Sequence, residues 1–356
     1  MAVRVLFFTD GVLSPGSRFR CLQLFGALEE RGIECEARFA YDERYNDVFS
    51  QRWAPLYKLA RRLKRVGHLW LEREADVLFI HKTSMALTAL PEMIRSFGST
   101  PIVFDFDDAI WLGPGGTEST LRRRTFEAMV RSCDRVIAGN RFLAETARAP
   151  EKTTLIPSVV DTSLSVPAPK RASNEFVVGW IGTASNFPYL RRVMAQVLSA
   201  VEKLPRARVR IVSNGVLPEY ENHPLVEQWR WSAARELTAL QSFDVGLMPL
   251  DDTEATRGKC GFKMIQYMSV ATPVLASAVG ANVEIFGESN SGRMLGTGDD
   301  WGKAVTQLHD LGANERNAMG QRGRSRVVAS YSVDSVVDRY AAMFKELAPA
   351  GSTRSD

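Results

Sequence analysis

Residues 243–250 read Phe-Asp-Val-Gly-Leu-Met-Pro-Leu, residues 257–263 read Arg-Gly-Lys-Cys-Gly-Phe-Lys, and residues 264–277 read Met-Ile-Gln-Tyr-Met-Ser-Val-Ala-Thr-Pro-Val-Leu-Ala-Ser. A short apolar run ends near Met248, and a loop carries glycines at 258 and 261. A helical pattern follows over 262–270, then a second apolar run over 273–276. Strand, loop, helix and strand in that order form the repeating unit of a parallel sheet with right-handed crossovers. Glycine before a helix lets backbone N–H groups approach an anion, and the helix N-terminus adds partial positive charge. Arg257, Lys259 and Lys263 bring three cations to the same few residues. The stretch suits a diphosphate; a basic surface loop is the alternative that spacing alone leaves open.

The same alternation runs outward in both directions. Before the stretch, strands are expected at 176–181, 208–212 and 244–248, with helices at 189–203 and 235–243. After it, three helical stretches close the chain at 299–311, 315–331 and 334–347. The first half reads likewise, with strands at 3–8, 33–39, 76–80, 101–105, 134–138 and 153–156. Its helices are expected at 18–31, 85–97, 121–132 and 141–147. Residues 157–174 interrupt the pattern with Ser and Pro and no hydrophobic period, as a linker does. The pattern predicts an α/β protein of two doubly wound Rossmann-like domains: residues 1–160, a linker at 161–174, and residues 175–333. Ligands of such sheets bind at the carboxyl ends of the strands, so a cleft between the halves is the expected site.

Composition bounds the function. The 356 residues fit a prior of two domains, and 45% hydrophobic with 24% charged residues is ordinary for a globular chain. The net charge of +4 is the difference between 45 basic and 41 acidic side chains, too balanced to imply nucleic acid. Four scattered cysteines without a C-x-x-C pair read as reduced thiols. The N-terminus runs into a strand-like stretch without signal-peptide architecture, which reads as cytoplasmic.

Two clusters in the first half carry chemistry. Phe-Asp-Phe-Asp-Asp at 104–108 ends a strand with three carboxylates, Asp105 and Asp107 sharing one side by alternation. Clustered acids bind a divalent metal, serve as a base or orient hydroxyls. Residues 51–70 hold Arg52, Lys58, Arg61, Arg62, Lys64 and Arg65 with no acid. Leu56, Leu59, Ala60, Leu63 and Gly67 mark an apolar face, while Lys58, Arg61, Arg62 and Arg65 mark a basic one, with Trp53 and Trp70 at the ends. The apolar face is expected to pack on the sheet, and the basic face to meet solvent, an anionic acceptor or an anionic membrane surface.

The stretch around residues 243–277 resembles the donor-binding signature of the family-4 (group 1) retaining glycosyltransferases. Other stretches resemble the same family in the same order. They are Asp134-Arg-Val-Ile-Ala with Asn140, Thr154-Leu-Ile-Pro-Ser-Val-Val-Asp161, Val178-Gly-Trp-Ile-Gly-Thr183, and Val327-Val-Ala-Ser-Tyr-Ser332 with the helix that follows. The resemblance implies the GT-B fold of two facing Rossmann-like domains, with the last helix, about 334–350, returning to the first. It implies sugar transfer from a nucleotide-sugar to an acceptor hydroxyl, without a metal or resident cofactor. The acceptor would be a sugar, a lipid-linked molecule or a small molecule, handled in the cytoplasm or at the inner face of the membrane. A nucleotide-sugar epimerase or hydrolase, or a non-catalytic sugar-nucleotide-binding partner, shares these features.

Site residues follow from that resemblance. Gly182, Thr183, Trp231, Arg257, Lys259, Cys260, Gly261, Phe262 and Gln266 are assigned to the donor, with Trp231 where the family recognises the base. Lys263, Asp107 and Asp108 are assigned to catalysis, the carboxylates orienting the acceptor. The loop at 14–20 would face donor or acceptor, with Gly16, Ser17 as helix cap, and Arg18 and Arg20 sensing an anion; His81 ends a strand beside it. The family's two glutamates, eight residues apart, are replaced by Gly258 and Gln266. Gln266 still offers an amide to ribose hydroxyls but no charge. The Arg and Lys that many relatives carry after the Gly182 strand are absent, leaving the leaving-group charge to Arg257, Lys259 and Lys263.

Overall fold

The computed structural model describes residues 2–41, 54–71, 74–85, 87–168 and 175–349. The chain divides into two compact units, Met1–Val159 with Val333–Asp356, and Val160–Ser332.

The first unit is a six-stranded parallel sheet in the order β2-β1-β3-β4-β5-β6. Its strands are β1 (Val3–Gly11), β2 (Ile33–Tyr41), β3 (Val77–His81), β4 (Ile102–Phe106), β5 (Arg135–Ala138) and β6 (Thr153–Leu155). Val5–Phe8 are buried on both faces of β1, as a sheet covered on both sides requires. Its helices are α1 (Pro15–Arg20), α2 (Phe25–Glu29), α3 (Ala54–Leu71), α4 (Leu90–Arg95), α5 (Thr120–Ser132) and α6 (Arg141–Ala147). The chain's last helix, α14 (Val333–Leu347), belongs to this unit. Val336, Val337, Tyr340 and Phe344 pack with Phe7, Phe79, Val103 and Ile137 in one core.

The second unit is a parallel sheet in the order β12-β11-β10-β7-β8-β9. Its strands are β7 (Phe176–Ile181), β8 (Ala207–Ser213), β9 (Val226–Arg230), β10 (Val245–Met248), β11 (Val274–Ser277) and β12 (Gly292–Leu295). Its helices are α7 (Phe187–Val201), α8 (Ala233–Gln241), α9 (Glu254–Arg257), α10 (Phe262–Ser269), α11 (Ala281–Phe286), α12 (Trp301–Asp310) and α13 (Gly312–Ser330). One core covers each face of the sheet: Trp180, Met194, Val305 and Leu308 lie on one side, Phe243, Ile265, Tyr267 and Met268 on the other.

Several elements differ from the sequence expectation. The helix expected at 18–31 is α1, a single 3-10 turn at Leu22–Leu24, and α2. The helix expected at 85–97 is only α4, because Pro91 in its first turn can begin a helix but would break one running through it. The strands β9 and β12 were not expected. Both are sheet edges, and neither carries the continuous apolar run of a strand buried on both faces. The first part of the expected linker is fixed on the second unit: Arg324 donates to the carbonyls of Thr162 and Ser165, and Ser165 Oγ meets Ser269 Oγ at 2.6 Å. Residues 169–174 of that linker, and 350 of the last helix, lie outside the described residues.

Candidate functional site: two strand-end clusters

In the second unit, β7 ends at Ile181 and Gly182 opens the loop into α7. A Cβ at Gly182 would stand 2.6 Å from Cε of Lys263 and 2.8 Å from the Trp180 ring. Lys263, in the first turn of α10, therefore lies directly over the Gly182 loop, its ammonium 5.7 Å from the Trp180 centroid. The Lys259 ammonium lies 5.9 Å from the centroid of Tyr189 on α7. Two lysines 81 and 77 residues beyond Gly182 in sequence are thus gathered around one strand end. Thr183 caps a 3-10 turn at Ala184–Asn186, and its hydroxyl accepts from Asn186 Nδ2 at 2.9 Å.

Gly261 caps α10 in the left-handed region, at φ 59°. Here the backbone needs glycine twice over, since a Cβ would also strike Ile285 Cδ1 at 2.4 Å. Cys260 is buried, Phe262 packs partly against the core, and Gln266 is mostly buried on the second turn of α10. Gly258, in place of the first family glutamate, ends α9. Arg257 is gripped by Asp252 through two hydrogen bonds of 2.6 and 2.9 Å, with both side chains about half exposed. Arg192 reaches Asp251 at 3.1 Å, and Arg191 is paired with Glu219. Trp231 follows β9 and donates to Glu236 at 2.7 Å, while its neighbour Trp229 lies under Arg210.

Sequence reading missed two residues of this loop. Gly280, at φ 53°, lies against the Arg257 backbone, where a Cβ would stand 3.0 Å from the carbonyl oxygen. Asn282 donates to the Ser277 carbonyl at 3.0 Å, and its Oδ1, buried without a hydrogen-bond partner among the described residues, points to Gly261. The glycine after the strand at 273–276 was the available signal.

In the first unit the carboxyl ends of β1, β3 and β4 gather a chain of charges. Arg20 is buried and forks onto Asp105, with a further bond of 2.9 Å to the Ile156 carbonyl. Asp105, fully buried, also accepts from His81 Nδ1 at 2.7 Å. A carboxylate only accepts, so Nδ1 carries a proton. Nε2 is buried without a hydrogen-bond partner among the described residues, 3.8 Å from Asp107 Oδ1. It faces Gly16, where a Cβ would stand 2.4 Å away. Lys82, at φ 59°, sets its ammonium 3.1 Å from Asp107 and 3.5 Å from Asp108.

Burial alone would raise the pKa of these acids. Arg20 and His81 overcome it at Asp105, and Lys82, His81 and Arg20 overcome it at Asp107, so both carboxyls stay ionised well into acid. Burial opposes the charge of Lys82 too, but Asp107 and Asp108 hold its pKa above the ordinary lysine value. Among the described residues, no group of three or more His, Cys, Asp or Glu side chains is placed to hold a metal ion.

Two expectations are corrected here. Arg20 is spent on Asp105 inside the protein and senses no external anion; Arg18 stays partly exposed against the Phe19 ring. Ser14, not Ser17, caps α1, and Ser17 sits within the helix, bonding Thr9 and Ser14 at 2.7 Å each. Asp105, which the sequence grouped with its neighbours without a role, is the residue that binds α1, β3 and β4 together.

Helix α3 is also seated opposite to expectation. Leu56, Leu59 and Leu63 are exposed, and Arg65 is buried. Arg65 donates to the carbonyls of Phe8 at 3.3 Å and His81 at 3.1 Å and faces Asp10; Arg62 donates to Tyr41 at 3.1 Å. Strand-end carbonyls and a carboxylate make that surface an acceptor for guanidinium, so the basic face turned inward. Arg52 and Trp53 lie outside the described residues. No described helix is long and apolar enough to cross a membrane.

Residues 191–342 match the model of the glycosyl transferase-like family, a span that includes the whole of the Arg257–Lys263 loop. The chain has the GT-B fold. Its fold matches solved structures over nearly its whole length. HepE from Anabaena, solved with UDP and glucose, is 16% identical with a TM-score of 0.71, covering 97% of this chain and 100% of that one. Sucrose-phosphate synthase from Thermosynechococcus elongatus is 14% identical with a TM-score of 0.71, covering 97% and 99%. A glycosyltransferase from Rickettsia africae is 13% identical with a TM-score of 0.70, covering 97% and 98%. A comparison with curated proteins found no match. In this chain the two glycines and two lysines of the family-like loop are in place, and the paired glutamates are not.

Proposed function

We propose that this protein is a glycosyltransferase that moves a sugar from a nucleotide-sugar to an acceptor hydroxyl with retention of anomeric configuration, using the second unit for the donor and the first for the acceptor. The observation that carries the donor half is the seating of Lys263 over the Gly182 loop, beside Lys259 and the amino end of α10. Two fixed cations and helix-end N–H groups stabilise negative charge most when it develops, as on a departing diphosphate. HepE, solved with UDP-glucose as well as with UDP and glucose, supports the ligand class. Arg257 joins the diphosphate by exchanging Asp252 for it. Gln266 serves the ribose, Trp231 the base, and Gly182, Thr183, Cys260, Gly261 and Phe262 shape the loop.

On the acceptor side, Asp107 and Asp108, fixed by Lys82, orient the hydroxyl, and His81 Nε2 lies beside them above Gly16. The nucleotide-sugar is the co-substrate, and no resident cofactor or metal enters. The acceptor is a sugar, a lipid-linked molecule or a small molecule, in the cytoplasm or at the inner face of a membrane. Thermal-shift screening against UDP-, GDP-, TDP- and ADP-sugars tests the donor half, because a ligand that binds only the native state raises its apparent stability. One nucleotide class is expected to raise Tm, and Lys263→Ala and Lys259→Ala to reduce the shift. A chain that none of the four stabilises has no donor site. With the matching donor, the anomeric configuration of the product, read by NMR, decides retention.

A further inference from the structure

Half of the exposed large hydrophobic side chains of the described residues fall between positions 56 and 97. On α3 they are Leu56, Leu59, Leu63 and Trp70, and on and around α4 they are Leu87, Leu90, Met93, Ile94 and Phe97. Phe97 is 89% exposed and Leu56 71%, values that neither packing nor chance placement on a soluble surface favours for a cluster. The two helices are joined, since Trp70 Nε1 donates to the Pro91 carbonyl at 3.4 Å.

The charge around this ridge has one sign. Residues 54–71 carry Lys58, Arg61, Arg62, Lys64 and Arg65 and no acid. Across 87–97 the single acid is Glu92, which is fully buried and accepts the Ser84 N–H at 2.6 Å. The orientation is fixed from beneath: Arg65 and Arg62 are tied to strand-end groups, and Leu69 is buried, so the leucine stripe must face outward. Two copies of such a face would set lysine against lysine with no carboxylate between them, which disfavours self-association. An outward stripe of leucines with a tryptophan, rimmed by cations, matches the interface of an anionic bilayer.

We propose that the α3–α4 ridge is a lipid-insertion surface, the leucines and Phe97 entering the acyl boundary of an anionic membrane while the exposed Lys64 meets its headgroups. This deepens the inner-face placement above and rests on it. It also joins that surface to the acceptor cluster, because Arg65 holds α3 to the carbonyl of His81.

Co-sedimentation of the full chain with phosphatidylcholine vesicles, with and without an equal share of phosphatidylglycerol, tests it. Binding is expected only in the presence of phosphatidylglycerol, weakening as salt rises. Lys64→Glu should weaken it at least about fivefold, at roughly 1 kcal/mol per basic residue lost at an anionic surface. Leu59→Ser with Leu63→Ser should weaken it similarly, with thermal melting unchanged because both side chains are already exposed. The proposal is overturned if the folded protein ignores both vesicle types, or if the leucine variant binds as the parent does. It is equally overturned if light scattering shows a dimer that the leucine variant abolishes. Vesicle binding needs neither donor nor acceptor, so its failure leaves the sugar-transfer reading standing.

Discussion

Asp105 makes three contacts from the end of one strand: it takes the Arg20 fork, accepts from His81 Nδ1, and through both joins α1 to β3 and β4. Asp105→Asn keeps the shape and removes the charge, leaving Arg20 buried without its counter-ion. Breaking a buried pair in this way costs about 3–5 kcal/mol, which urea titration would read directly. The pH dependence has a definite sign. Asp105 is depressed in the folded state despite burial, by Arg20 and then His81, so its stabilisation is complete above the ordinary aspartate value near pH ~4. It is lost as the pH falls from there through the lower folded value. The parent should therefore lose stability on acidification below about pH 4 more steeply than Asp105→Asn does. Parallel slopes would mean the carboxyl is not held ionised. The sequence displayed all three aspartates of 104–108 but not their division of labour. That division depends on Arg20, 85 positions away, and no local pattern carries such a pairing.

Elements were legible in proportion to how much of each is buried. The central strands β1, β3, β4 and β7 are built on apolar runs, and period alone placed their ends within three residues, those of β7 without error. The edge strands β9 and β12 mix polar and apolar residues and were invisible, although both pair in register with their neighbours. For α3 the period was right and the direction wrong. An amphipathic pattern says that two faces differ, but which face turns inward depends on what the underlying surface offers, here carbonyls and Asp10 rather than apolar side chains. The α10 amino end was the most legible element of the site, because its requirement is a backbone one. Gly261→Ala would force an L side chain into φ 59° and against Ile285 and Asn282. The backbone strain alone costs about 1 kcal/mol or more. We expect a modest fall in Tm and a nucleotide affinity lowered at least about tenfold, since the loop bearing Lys259 and Lys263 must shift. Calorimetric titration reads the second, and unchanged affinity would remove the loop from the donor site.

At the scale of the whole chain, each unit owns one cluster and one hydrophobic core system, but the first unit is not contiguous in sequence. The chain leaves it at Val159 and returns at Val333, so the first unit is complete only once α14 has been made. Phe344 lies edge-on to Phe7 and Phe79 at 6.0 and 6.1 Å, and Tyr340 is 6.2 Å from Phe79. All four aromatic side chains are fully or almost fully buried. Phe344→Ala empties the middle of that cluster, at a cost of about 3–5 kcal/mol for a buried phenylalanine. The loss falls on the first unit, whereas the lysines assigned to the donor belong to the second. Scanning calorimetry should therefore show a lowered unfolding temperature for Phe344→Ala. Nucleotide titration well below that temperature should return the parent affinity. A further stabilisation of about 2.7 kcal/mol is expected when nucleotide is present at a hundredfold its Kd, in the variant as in the parent. If Phe344→Ala weakens nucleotide binding while the protein is still folded, the donor site draws on the first unit and the assignment of one substrate to each unit must be given up.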